Sequence, residues 1–112
     1  MAKTKTHADR IRELNDEFRT TWLTGTVLMT SGIENLPDAV QSGIVEAVQK
    51  FDAFTPDNDP HEEHDFGTVT IDGHKVFWKI DYYDQTMQYG SEDPANPTVT
   101  KRVLTIMQAE EY

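Results

Sequence analysis

The sequence contains no cysteine, no long apolar run and few basic residues. The absence of cysteine excludes disulfides, thiolate metal sites and a cysteine nucleophile, and it is compatible with a reducing compartment. No apolar stretch approaches the length that spans a bilayer, and the opening residues MAKTKTHADR lack the apolar core of a secretory signal. We therefore expect a cytoplasmic protein that does not engage a membrane.

Signatures of phosphate binding and of nucleophilic catalysis are also missing. The six glycines are scattered along the chain and form no Gly-rich loop. No serine stands in a G-x-S-x-G or S-x-x-K pattern. The best acid–base candidates are Asp81 and Asp84 near Lys79, but the stretch FWKIDYYD equally fits an ordinary β-strand. We expect no catalytic residue and no cofactor.

Positive charge is scarce, since 20 acidic residues face 10 basic ones and the net charge is −10. The imbalance is greatest between Glu34 and Asp93, where 14 acids accompany 3 bases. Residues 52–65, which we call the acidic loop, hold six carboxylates and no Lys or Arg. Such a surface repels nucleic acid and attracts cations or a basic protein surface. We therefore expect a basic protein partner and no direct binding of nucleic acid.

Hydrophobic periodicity organises the first half of the chain. An apolar stripe at spacings of three and four predicts a helix that begins near Thr6 and ends at Gly25. A short strand is predicted over residues 26–30, and a second helix follows Pro37. The acidic loop contains two prolines and no periodicity, which indicates irregular structure closed by Gly67.

The dipeptide Asp72-Gly73 predicts a tight β-hairpin between residues 68–71 and 74–83. A two-residue turn at this position pairs Ile71 with His74. The apolar side chains that then share one face are Val69, Ile71, Val76, Trp78, Ile80 and Tyr82. The agreement between turn and apolar pattern predicts that this face lies in the core.

Two more elements are predicted after the hairpin. A tight turn at Asp84-Gln85 would extend it into a meander by pairing Tyr82 with Met87 and Ile80 with Tyr89. Both pairs fall on the same apolar face, so two independent turns predict the same meander. A last helix begins after Asn96-Pro97, with the stripe Val99, Val103, Leu104 and Met107. The order α-β-α-β-β-β-α predicts one α+β domain over residues 1–112, in which a four-stranded, mainly antiparallel sheet carries helices on one face. Residues 1–5 are expected to be a flexible N-terminus.

Several segments resemble a known bacterial family. They are IRELNDEFR, DAFTPDNDPHEEHDFG, FWKIDYYD, GSEDP and RVLTIMQAEEY, and together they cover nearly the whole chain. The sequence thereby resembles the small proteins designated domain of unknown function 3768. The resemblance implies a small cytoplasmic protein, often encoded near anti-restriction-type genes on mobile elements. It supplies no catalytic residues.

Charge and family context together favour an acidic inhibitor that binds protein. Carboxylates on a rigid scaffold can take the place of phosphates in a basic groove, and outward aromatic side chains can anchor the interface. The target would be a host defence nuclease or its targeting complex, as for an anti-restriction or anti-CRISPR nucleic-acid mimic. The candidate partner-binding residues are Asp57, Asp59, Glu62, Glu63, Asp65, Phe77, Asp81, Tyr83, Asp84, Glu92 and Asp93.

The main alternative is a metal-binding enzyme or regulator. It would use His61 and His64 with Asp57 and Asp59, because imidazole and carboxylate groups ligate divalent cations. The two histidines are three residues apart, whereas a zincin motif needs four on a helix. A plain solvated loop, in which Asp and Asn side chains bond the local backbone, explains the same residues.

Overall fold

A computed structural model describes residues 5–112 of the chain. The elements are α1 (His7–Thr21), β1 (Thr26–Met29), α2 (Ser31–Glu34), α3 (Asp38–Gln49), β2 (Phe66–Ile71), β3 (His74–Tyr83), β4 (Lys101–Gln108) and a 3₁₀ turn (Ala109–Glu111). No helix within these residues is long and apolar enough to span a bilayer. The predicted flexible segment falls outside the described residues except for Lys5, whose Nζ lies 2.7 Å from Glu13 Oε1.

The first helix begins after Thr6, as predicted, but it ends at Thr21 and not at Gly25, because Trp22 adopts a left-handed backbone conformation. The Thr6 hydroxyl accepts a hydrogen bond from Asp9 N, and the Asp9 carboxylate accepts one from Thr6 N, so two free amide groups of the first turn are satisfied. Arg19, near the other end, is buried and donates from Nη1 to the carbonyls of Val48, Gln49 and Phe51. One guanidinium therefore caps the C-terminus of α3 and fixes the two helices together.

The sheet confirms the α+β class and the four strands, and it is mixed. Its order is β1-β4-β3-β2, with β3 antiparallel to both β2 and β4 and with β1 parallel to β4. The hairpin has the predicted register, since Ile71 pairs with His74 and Val69 with Val76. Asp72 and Gly73 both have positive φ, as a tight type I′ turn requires.

All three helices pack on one face of this sheet. Trp78, Ile80 and Val76 of β3 and Leu104 and Ile106 of β4 form the buried core on that face. The helices contribute Phe18, Ile33, Val40, Ile44 and Val48. The predicted face is therefore the core face, and Trp78 at its centre is fully buried.

Two predicted elements are wrong. Residues 101–108 form the strand β4 in place of the last helix, and this strand takes the place beside β3 that the meander assigned to Met87 and Tyr89. Tyr82 pairs with Arg102 and Ile80 with Leu104. Residues 84–100 leave the sheet after a single bridge between Tyr83 and Gly90, so the turn at Asp84-Gln85 does not start another strand.

Gly67 lies inside β2 and does not close the acidic loop as predicted. It stands opposite Trp78 in the register, and a Cβ at this position would overlap the indole ring. The glycine is therefore required by the close approach of Trp78, which lies flat against the β2 backbone.

Candidate functional site

The N-terminal half of α1 contacts two loops that carry several carboxylates. On one side, Arg12 Nη1 donates to the Glu62 carbonyl of the acidic loop at 3.0 Å. On the other, His7 Nε2 lies 2.7 Å from Asp93 Oδ1, in the segment 84–100 that we call the return loop. One helix thus places the two carboxylate-rich segments on either side of itself.

Asn15 joins the acidic loop to the sheet beneath α1. Its Nδ2 donates to the Glu63 carbonyl at 3.0 Å and to the Tyr82 hydroxyl at 2.7 Å. Its Oδ1 accepts from Arg102 Nε at 2.7 Å. The Tyr82 hydroxyl in turn donates to Glu63 Oε1 at 2.8 Å, and burial raises the pKa of Tyr82, which keeps this donor protonated. The network is buried and connects three elements of the fold.

Asp59 organises the acidic loop from within. It is 5% exposed, and its Oδ1 accepts hydrogen bonds from Glu63 N and His64 N, both at 3.1 Å. Asn58 and Thr55 bond each other's backbone amide groups in the preceding turn. These contacts are the local side-chain to backbone bonds expected of a solvated Asp/Asn loop. The carboxylates of Asp59 and Glu63 therefore have structural partners.

His64 fastens the end of the acidic loop to α1. Its ring stacks on Phe54 with the centroids 3.7 Å apart and the planes 3° from parallel. Its Nδ1 lies 2.9 Å from Asp16 Oδ1, while Nε2 lies 3.6 Å from Asp59 Oδ2. A cleft of about 500 Å³ opens beside this histidine, between the acidic loop and Arg12.

The return loop forms hydrogen bonds with β4 and within itself. Arg102 Nη2 donates to the Pro94 carbonyl, and the Thr100 hydroxyl donates to the Asp93 carbonyl at 2.8 Å. The contact with His7 is the main reason that the pKa of Asp93 is below its usual value. A hydrogen bond from Thr86 does the same for the pKa of Asp84. Both carboxylates are therefore ionised over the whole neutral range.

The outermost carboxylates of the two loops are exposed. Asp57 and Glu62 of the acidic loop and Glu92 of the return loop all point to solvent. Asp65 is half-buried at the start of β2, and burial raises its pKa, with a smaller contribution from repulsion by Glu63. Asp52 of the acidic loop is exposed as well, so the two loops present four exposed carboxylates to solvent.

The structure does not bring the remaining predicted residues to this surface. Phe77, Asp81 and Tyr83 occupy alternate positions of β3 to those of the core residues, and they lie on the helix-free face of the sheet. Asp81 Oδ2 accepts a hydrogen bond from Lys79 Nζ at 2.7 Å, and this bond raises the pKa of Lys79. Lys79 is therefore a cation and not a neutral base.

The four residues of the predicted metal site face different environments. His61 and Asp57 are exposed, Asp59 points into its loop, and His64 is bonded to Asp16. Within residues 5–112, no group of three or more His, Asp or Glu side chains is arranged to hold a metal ion. The metal-binding alternative therefore finds no ligand set in this part of the chain.

Sequence reasoning missed the polar residues that assemble the site, chiefly Arg12, Asn15, Asp16 and Arg102. One signal was present for Asn15, because it falls between Ile11 and Phe18 on the apolar face of α1. A polar side chain at such a position needs buried partners. The Asn15 network supplies them.

The comparisons with known proteins place the chain in one family. The sequence profile of a family described as protein of unknown function (DUF3768) matches residues 29–111. The match begins at the end of β1 and includes both acidic loops and three strands of the sheet. No curated protein and no solved structure matches the chain. The protein belongs to the DUF3768 family.

Proposed function

We propose that the protein is an acidic, protein-binding inhibitor that occupies the nucleic-acid site of a host defence nuclease or its targeting complex. It works in the cytoplasm as a nucleic-acid mimic of the anti-restriction or anti-CRISPR type. The observation that carries this proposal is the arrangement of two acidic loops on either side of one helix. Asp57 and Glu62 are exposed on one side, and Glu92 is exposed on the other.

Rigidity of the two loops supports the same function. Asn15, His64 and Asp59 bond the acidic loop from inside, and Arg102 bonds the return loop. A surface that is ordered before binding loses less conformational entropy in the complex. The exposed carboxylates can then meet Lys and Arg side chains of a basic groove without first ordering the chain.

The test is inhibition of DNA cleavage by a panel of purified restriction and CRISPR nucleases. A mimic competes with DNA, so it raises the apparent KM for DNA and leaves kcat unchanged. Higher salt weakens the inhibition, because charges separated by more than about 10 Å are screened at 0.1 M salt. Inhibition that lowers kcat at unchanged KM would contradict the mimicry.

Variants that neutralise carboxylates test which surface of the protein binds the nuclease. The variant Asp57→Asn/Glu62→Gln/Glu92→Gln removes three exposed carboxylates from the two loops. Three exposed ion pairs of about 0.2–1 kcal/mol each imply an affinity loss of about 3-fold to 150-fold. The control Glu34→Gln/Asp72→Asn/Glu110→Gln removes the same charge from other exposed positions. Equal effects of the two variants would show that net charge alone is responsible.

A further inference from the structure

The helix-free face of the sheet has a charge opposite to that of the rest of the protein. Its 14 strand positions, read from the register, are Thr26, Leu28, Phe66, Thr68, Thr70, Lys75, Phe77, Lys79, Asp81, Tyr83, Lys101, Val103, Thr105 and Met107. These positions hold three lysines and one carboxylate, in a chain whose net charge is −10. The face therefore favours an anionic ligand, whereas the acidic loops on the helix side repel one.

Two of the three lysines of this face are exposed to such a ligand. Lys75 and Lys101 are exposed, at opposite ends of the two central strands. Lys79 lies between them and forms the ion pair with Asp81, 2.7 Å long. Every lysine after Lys50 in the sequence belongs to this face. The three lysines therefore form a row along the two central strands.

Aromatic side chains lie among these lysines. The rings of Phe66 and Phe77 are 5.5 Å apart, and Tyr112 packs edge-on against Phe77 at 5.3 Å. Tyr112 is 76% exposed, whereas Phe66 and Phe77 are only partly exposed, so Tyr112 is the most accessible aromatic residue of this cluster. Tyr83 stands opposite Lys101 in the register, and Lys75 Nζ lies 5.7 Å from the Phe77 ring centroid.

We propose that the helix-free face binds a short single-stranded nucleic acid. Lysines would contact phosphates, while Tyr112 offers a ring surface on which a base stacks. A duplex would present only phosphates to a flat sheet and leave the aromatic side chains without a role. An acidic peptide would likewise use the lysines alone.

This surface is separate from the acidic loops, and the inference does not depend on the proposed inhibition. The expectation of no nucleic-acid binding was drawn from the charge imbalance along the sequence, which does not show on which face of the sheet a residue lies. Helices and acidic loops lie behind the sheet, at a layer spacing of about 10 Å. Salt at about 0.1 M screens charges at that separation, whereas a lysine in contact with a phosphate keeps its attraction.

The test is fluorescence anisotropy of labelled oligothymidylate and oligouridylate of about 12 nucleotides, within the range that one single-strand site accommodates. The full chain is titrated at about 0.1 M salt, where distant carboxylates are screened. We expect saturable binding of at least one single strand and much weaker binding of a duplex of equal length. No binding of either strand, or a preference for the duplex, overturns the proposal.

Two matched pairs of variants locate the site. Lys75→Glu/Lys101→Glu and the control Lys5→Glu/Lys50→Glu change the net charge equally, so they differ only in which surface loses its lysines. Tyr112→Ala removes a base-stacking ring, and Tyr89→Ala removes a tyrosine of similar exposure that lies outside this face. We expect the first variant of each pair to bind the oligonucleotide about fivefold more weakly or worse. For Tyr112→Ala this is the loss typical of one stacked base. The second variant of each pair should bind as the parent does.

A competition experiment with an acidic peptide tests the other possible ligand of this face. If polyglutamate displaces the oligonucleotide at equal charge concentration, recognition rests on lysines alone and the face is a docking surface for acidic protein. That result, or equal losses within either pair of variants, overturns the assignment to nucleic acid. If oligonucleotide binding is retained while nuclease inhibition is absent, the proposed function fails and this inference stands.

Discussion

Asn15→Ala tests whether the acidic loop is held by the network under α1. Asn15 is fully buried, and its amide makes three hydrogen bonds that connect Glu63, Tyr82 and Arg102. Alanine keeps the helix and removes all three bonds at once. The variant therefore separates the effect of the network from that of helix propensity.

The expected loss of stability follows from the three groups that lose their hydrogen bond to Asn15. Arg102 Nε is a charged donor in a buried position, and losing its acceptor costs about 1.5–3 kcal/mol. The bonds to the Glu63 carbonyl and the Tyr82 hydroxyl are neutral and contribute about 1 kcal/mol each. We therefore expect a loss of about 3–5 kcal/mol, which is a large share of the 5–15 kcal/mol that is typical of a whole domain.

Urea unfolding and amide hydrogen exchange measure the two consequences. The midpoint should fall by the stated free energy in Asn15→Ala, whereas Glu17→Ala on the exposed side of α1 should stay within about 0.5 kcal/mol of the parent. The amide groups of Glu63 and His64, which donate to Asp59, should exchange faster under native conditions. A stability loss no larger than that of Glu17→Ala, or unchanged exchange at these two amide groups, would refute the reasoning.

Two further predictions concern the sheet and the acidic loop. Trp78→Ala should cost about 3–5 kcal/mol by opening a cavity under the helices, and Phe77→Ala on the other face should cost less in the same denaturant melts; the reverse order would contradict the register. Because burial raises the pKa of Asp65, the folded state holds its proton more tightly than the unfolded chain, and stability falls as the pH rises above the unfolded value of about 4. Asp65→Asn should therefore raise the urea midpoint at neutral pH and leave it unchanged near pH 3; an unchanged midpoint at neutral pH would contradict the proposed cost of burying this charge.

Local signals were sufficient where one turn or cap determines the geometry. The reciprocal bonds of Thr6 and Asp9 start α1, and the positive φ angles of Asp72 and Gly73 set the register of the hairpin. Both act within a few residues. The turn was predicted from its sequence, whereas the cap formed by Thr6 and Asp9 was missed. The core face of β3 followed from the same turn, because alternate side chains point to opposite faces.

The strand β4 could not be recognised from its pattern. Arg102, Leu104 and Ile106 are buried on the core face, and Val103 and Met107 are buried on the other face. A strand with buried side chains on both faces shows no alternation, and its apolar residues then match a helical spacing by chance. The β-branched residues Val103, Thr105 and Ile106 were the signal that favoured a strand.

The acidity of the two loops was readable from composition, but their arrangement was not. It depends on contacts between residues far apart in the chain, such as Asn15 with Arg102 and His7 with Asp93. No local pattern encodes such pairs. The shared face of the three lysines could not be predicted either. Lys101 lies on the same face as Lys75 and Lys79 only when β4 pairs with β3.

The arginines explain why so much negative charge stays on the surface. Arg12, Arg19 and Arg102 all donate to backbone carbonyls, and Arg19 alone uses three. The ion pairs of these arginines are with carboxylates of α1, since Arg12 bonds Asp9 and Arg19 bonds Asp16. Cations that could have paired with the exposed carboxylates of the acidic loop are instead part of the scaffold that positions them. The same contacts that stabilise the loops therefore also maintain the field by which a basic partner would be attracted.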